Sequence, residues 1–246
     1  MTARSPEYGE TWVYESLVGA LPGLDLSDRA AIVVQFCAFE LAVLAVAAGY
    51  GLWEAVVPGT VAVIVATGGS WLMLRFSRTV RGLPMPDGYR RALFGSSVEV
   101  VLGVIAFVLL VTYLFVTDPR TTDQSLLVAW LGPDPPAPAV ALALLVCWDV
   151  VYRIGTCWWA SVAGLWRSLT YEFDPETSRR YARADGINVA FAGGQLLLVP
   201  FVLGHPLLFG VLVGHVIAVA TVATLSGRLQ RGSRTREEEV AGGDRH

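Results

Sequence analysis

Residues 75–116 read RFSRTVRGLPMPDGYRRALFGSSVEVVLGVIAFVLLVTYLFV. Five arginines (Arg75, Arg78, Arg81, Arg90 and Arg91) crowd the first part, and Glu99 is the only charge between Leu93 and Val116. At about 1.5 Å of rise per residue, that apolar run is long enough to cross the roughly 30 Å hydrocarbon layer of a bilayer. Arginines beside such a run stay on the cytoplasmic side. The stretch therefore predicts both a span and its direction.

The pattern recurs along the chain. Spans are expected at Ala30–Trp53, Val56–Leu74, Leu93–Val116, Pro138–Leu165, Gly186–Leu203 and Pro206–Leu225, with Ser27 or Asp28 capping the first. Glu54 and the Gly204-His205-Pro206 link leave room only for hairpins, so the first and last span pairs are antiparallel neighbours. Composition agrees: 54% of residues are apolar and 16% charged, with mean hydropathy +0.54. A water-soluble domain of this size carries more surface charge.

All 18 basic residues are arginine. Sixteen fall in the N-terminal segment, the second-to-third and fourth-to-fifth connections, and the C-terminal segment. Only Arg120 lies on the opposite side, and Arg153 lies within a span. The expected fold is all-α: a polytopic membrane protein, a bundle of six transmembrane helices with both termini cytoplasmic. Residues 1–29 form a cytoplasmic N-terminal segment in which Tyr8 to Leu21, with Trp12, can lie as an interfacial helix. Residues 30–226 form the six-helix transmembrane domain, and residues 227–246 a cytoplasmic tail expected to be disordered. Asp174-Pro175-Glu176 starts a short cytoplasmic helix running through Arg183. No cleavable signal peptide is expected; the first span itself targets the chain. Cys37, Cys147 and Cys157 lie in apolar stretches and read as buried small hydrophobes.

Polar residues within the spans carry what functional signal there is, because charge in hydrocarbon is costly. Glu40, Asp149, Arg153, Gln195 and His215 share the middle depth, while Glu99 and Gln35 lie nearer the cytoplasm. Asp149 and Arg153 are four residues apart on one helix, so they share a face and can pair. That pair can equally be structural, fixing helix packing without transport or catalysis. Gln195 reads best as interhelical glue and His215 as a satisfied core histidine; Glu40 is the candidate proton-linked acid. Gly210-x-x-x-Gly214 is a helix-packing face that permits close approach. Gly68-Gly69 and Gly193-Gly194 can admit a neighbouring helix.

Enzyme signatures are absent: there is no His-Glu-x-x-His, phosphate-binding loop or dinucleotide fingerprint, and Gly95-Ser96-Ser97 is not a nucleophile elbow. No residue is nominated as catalytic or as a metal ligand, and no cofactor or nucleic acid is implied. The partners expected are the lipid bilayer, with anionic headgroups at the arginine clusters, and a protein partner or a second copy of the chain.

Three runs are distinctive: Tyr8-Gly-Glu-Thr-Trp-Val-Tyr-Glu-Ser16, Leu93-Phe-Gly-Ser-Ser-Val-Glu-Val-Val101, and Trp148-Asp-Val-Val-Tyr-Arg-Ile-Gly-Thr156 with Trp158-Trp159-Ala-Ser161. They resemble a family of uncharacterised haloarchaeal multi-pass integral membrane proteins. The resemblance implies a membrane protein from such a host and carries no activity. Three function classes stay open. The first is a structural or interaction (scaffold) protein of the cell membrane. The second is a small transporter or channel with a proton- or ion-linked site at Glu40, Asp149, Arg153 and His215. The third is a membrane enzyme acting on lipid near Glu99.

Overall fold

Ser27 opens the first helix. Its hydroxyl accepts the Ala30 amide at 3.3 Å, satisfying one of the donors that a helix start leaves bare. The computed structural model describes Trp12 and residues 27–243. Helix α1 (Asp28–Tyr50) stops at Gly51, whose φ of 72° suits a residue without a Cβ. A short 3-10 turn, Trp53–Ala55, then reverses the chain into α2 (Val56–Arg81). The third span is segmented: a turn at Asp87–Arg90, a π-turn at Arg91–Gly95, then α3 (Val98–Thr112), a second π-turn at Tyr113–Thr117 and a final turn at Asp118–Thr121. A short helix, Leu126–Leu131, precedes α4 (Ala137–Thr170). Helix α5 (Pro175–Gly194) continues as a 3-10 segment, Gln195–Phe201, before α6 (Pro206–Gly243).

Six stretches are long and apolar enough to cross a membrane: Arg29–Tyr50, Trp53–Arg81, Asp87–Thr121, Ala137–Thr170, Pro175–Phe201 and Pro206–Gln230. Their outer faces are bare hydrocarbon side chains, such as Leu41, Val108, Leu109, Val211 and Ile217. Such faces suit lipid and not water, as expected for a multi-pass membrane protein.

Three boundaries differ from the sequence reading. The helix that starts at Asp174-Pro175 does not end before a separate span at Gly186; it is one helix to Gly194. Gly186 alone, without a proline, does not break it. Arg179, Arg180 and Arg183 are therefore on the first turns of α5, and the fourth-to-fifth connection is only Tyr171 to Asp174. The third span is interrupted at Ser97, which has the left-handed φ of 53° that side chains other than glycine seldom adopt. Helix α6 keeps helical backbone to Gly243, across the polar stretch read as a disordered tail. The interfacial helix expected at Tyr8 to Leu21 lies outside the described residues, except for Trp12.

Contacts fix which connections share an end. Tyr181 donates to the Pro84 carbonyl at 2.9 Å, and the Ser168 and Ser226 hydroxyls are 2.7 Å apart. Both arginine-rich connections therefore meet the polar end of α6. Their core holds Phe76, Tyr89, Leu93, Tyr181 and Phe191, with Trp12 buried among them. Trp12 stacks on Phe76 at 5.7 Å and donates to the Leu93 carbonyl at 3.0 Å. It is an internal packing group, not a border anchor. At the opposite end His205 lies 2.7 Å from Asp118, joining the α5–α6 link to the end of the third span.

Helices α3 and α4 approach at Gly103 and Gly155. A Cβ on Gly155 would lie 2.9 Å from the Gly103 backbone nitrogen, which cannot move aside as a side chain can. At Gly210 and Gly214 no described residue lies within 4 Å of an added Cβ, so no close approach is made there among the described residues. Gly155→Ala is expected to destabilise the protein by about 1–3 kcal/mol through overpacking. Gly214→Ala should be neutral or gain up to about 1 kcal/mol of helix propensity. Thermal unfolding in detergent compares the two.

Candidate functional site

Two buried arginines organise the polar interior. Arg153 lies in the middle of α4, and its Nη2 is 2.7 Å from Asp149 Oδ1, one turn earlier. The second oxygen, Asp149 Oδ2, accepts from Gln35 Nε2 of α1 at 2.9 Å. Gln35 Oε1 in turn accepts from Ser70 Oγ of α2 at 2.8 Å. The chain Ser70–Gln35–Asp149–Arg153 thus ties three helices together. Gly69 makes room for it: an added Cβ would lie 2.8 Å from Arg153 Cδ and 2.5 Å from the Phe191 ring of α5. The gap lined by Phe39, Val63, Ala66, Thr67, Val146 and Asp149 has no space for a water molecule.

Arg167, near the C-terminal end of α4, is completely buried. Its Nη2 lies 2.8 Å from Asp185 Oδ2 of α5, and its Nη1 lies 3.5 Å from Oδ1 and 3.2 Å from the Tyr89 hydroxyl. The guanidinium centre sits 4.1 Å from the Tyr181 ring centroid, within cation–π range. Ser226 of α6 donates to Asp185 Oδ2 at 3.1 Å. With its amide turned to suit its neighbours, Gln230 accepts from Arg167 at 3.2 Å and donates to the Ser178 carbonyl at 3.2 Å. One guanidinium therefore gathers α4, α5, α6 and the α2–α3 connection.

The opposite end has a carboxylate hub. Asp118, fully buried, accepts from His205 Nδ1 at 2.7 Å, from Tyr113 at 3.1 Å, from Thr122 at 3.1 Å and from the Leu126 amide at 2.6 Å. The last bond caps the short helix Leu126–Leu131. Tyr113 donates to the carboxylate, and the Thr122 hydroxyl lies between that carboxylate and the Asp118 carbonyl, at 2.8 Å from the latter. Outside the spans, the Thr177 side chain and amide, with the Glu176 amide, hold the exposed Asp174 carboxyl below the usual carboxylate range, as suits a helix cap.

The other candidates are not part of these networks. Glu40 Oε1 accepts from Thr60 at 2.8 Å, and its Oε2 is buried without a hydrogen bond among the described residues. Glu99 is wholly buried just past the Ser97 break, and neither carboxyl oxygen has a hydrogen-bond partner among the described residues. The same holds for both amide atoms of the buried Gln195 and for His215 Nε2. Among the described residues Glu40 is bonded to Thr60, and Asp149 to Arg153 and Gln35. Among the described residues no three His, Cys, Asp or Glu side chains converge as metal ligands.

The Arg167 and Asp118 hubs escaped the sequence reading. Arg167 sits where a border arginine belongs, and Asp118 and His205 sit where links belong. One signal was present: Ser178, Tyr181, Asp185, Asn188, Ala192 and Gln195 recur at three- and four-residue steps and mark a buried polar stripe.

Six helices long and apolar enough to cross a membrane, several of them joined by polar pairs, are compatible with a multi-pass membrane protein. The chain belongs to a family of unknown function, DUF7530, whose model matches residues 7–226. No curated protein and no solved structure matches it.

Proposed function

We propose that this protein is a structural or interaction scaffold of the cell membrane, with its arginine-rich end and both termini in the cytoplasm. The observation that carries this reading is closure around the Asp149 carboxylate. Asp149 is satisfied by Arg153 and Gln35, and the gap beside it admits no water. Groups that must pass ions need a wetted path; groups that hold helices together need pairing. The exposed Arg75, Arg78, Arg90, Arg179, Arg180 and Arg228 form a cationic face that suits anionic headgroups or an acidic partner segment. The all-arginine basic set and the acidic pI of about 5.6 fit a haloarchaeal host.

The second reading, a proton- or ion-linked transporter, is favoured by one feature: Glu99 and Glu40 bury carboxyl oxygens that no donor in the described structure satisfies. A lipid-modifying enzyme comes third. Liposomes holding a pH-sensitive dye separate the first two. A scaffold leaves an imposed pH gradient decaying at the protein-free rate. A protein-dependent flux that Glu40→Gln abolishes assigns transport instead.

Orientation has its own test. Asp87→Cys, on the arginine-rich end, is expected to react with a membrane-impermeant maleimide only after cells are permeabilised. Glu54→Cys, at the other end, should react in intact cells. The reverse pattern inverts the topology.

A further inference from the structure

We infer that the cavity between α1, α2 and α4 at the arginine-poor end is a binding slot for one acyl chain of a membrane lipid. The inference rests on the helices crossing a bilayer, not on the scaffold role.

The cavity measures about 90 Å³, and among the described residues no ionisable group other than the Cys147 thiol lines it. Its walls come from the last turns of α1 (Val43, Ala47), the first turns of α2 (Ala62) and the first turns of α4 (Ala143, Val146). From Ala139 to Cys147 it follows α4 for about 12 Å along the helix axis, most of one leaflet's share of a roughly 30 Å hydrocarbon layer. Its long direction is therefore that of a lipid tail in that leaflet. Trp130 and Leu131 of the short helix roof it, and Asp118 pins that helix through the Leu126 amide.

Two arguments choose the occupant. Water is disfavoured, since a water needs two to four polar partners and this wall has almost none. The slot is also continuous with the lipid-facing surface: Leu44, Val57 and Leu145, next in sequence to wall residues, are exposed apolar side chains, and Ala62, Ala143 and Cys147 in the wall are only half-buried. A gap in a packed apolar interior forfeits dispersion contacts, and the hydrocarbon at its mouth can restore them. Among the described residues no basic side chain lines the slot, so the tail, not the headgroup, is recognised.

The test uses the full chain in phosphatidylcholine vesicles doped with a phosphatidylcholine carrying a mid-chain diazirine. After irradiation, peptide mapping is expected to find crosslinks concentrated at residues 43–47 and 139–147, above the level on the bare α3 face at Val104 and Val108. Ala143→Phe and, as a milder filling, Ala62→Val should lower the slot signal to the α3 level while leaving α3 labelling unchanged. Slot labelling no higher than α3, or unchanged in a filled variant that elutes as a folded species, overturns the inference. Absence of labelling on both surfaces overturns the membrane reading beneath it.

Discussion

Arg167→Leu is expected to be the most damaging single substitution in the chain. Removing one partner of a buried ion pair typically costs about 3–5 kcal/mol, because the survivor is left charged and dry. Here the survivor is Asp185, almost fully buried, with only Ser226 left among the described residues to donate to its Oδ2. The loss should exceed that of Arg179→Leu, an exposed arginine of the same charge, for which surface values of about 0–1 kcal/mol apply. Thermal unfolding in detergent, with monodispersity checked by size-exclusion chromatography, measures both. The double variant Arg167→Leu/Asp185→Leu should recover part of the loss, since it leaves no orphaned carboxylate. If Arg167→Leu unfolds like Arg179→Leu, the guanidinium does not hold the four segments together.

The shared end of alternate connections left a one-dimensional trace and the clasps did not. Arginines that must stay on one side accumulate in alternate connections whatever the helices do. The sequence therefore predicts that the α2–α3 and α4–α5 connections share an end, and the Tyr181–Pro84 bond places them together. Helix ends were partly legible. Asp174-Pro175 marks the start of α5 through cap chemistry, but the far end of that helix depends on what covers Asp185 and Asn188. A polar face packed on α4 and α6 needs no break between amphipathic turn and span. The break at Ser97 had only Gly95-Ser96-Ser97 to announce it. The pairing of Arg167 with Asp185 crosses a four-residue connection, and only the packed geometry brings Tyr89 and Ser226 to the same atoms.

The small-residue motif misdirected in an instructive way. Gly210 and Gly214 have the spacing of a packing face, yet they front open space. Gly103 and Gly155, on different helices, have no local pattern and meet backbone to backbone. Spacing within one helix says that a close approach is sterically allowed; the partner decides whether it happens. The same distinction applies to polar residues. Depth alone grouped Glu40, Asp149, Arg153, Gln195 and His215, but a shared level in six helices still leaves several faces. Only residues on facing stripes, such as Gln35, Ser70 and Asp149, became bonded.

Arg153→Leu tests whether that mid-depth chain is structural. The substitution strips Asp149 Oδ1 of its cation but leaves Gln35 donating to Oδ2 at 2.9 Å. The loss should therefore fall near the lower end of the range for a broken buried pair, about 3 kcal/mol. It should appear as lower folded yield and a lower unfolding temperature. Adding Asp149→Asn in the Arg153→Leu background removes the orphan charge while keeping an acceptor for Gln35, and should restore a measurable part of the stability. Gln35→Leu weakens the same carboxylate from the other side, so its effect should be non-additive with Arg153→Leu, as residues sharing one partner are. Normal yield and stability of Arg153→Leu would remove the structural account of the pair. If that variant also altered the decay of a pH gradient in liposomes, the charge at mid-membrane would belong to a conduction path and the scaffold reading would fall.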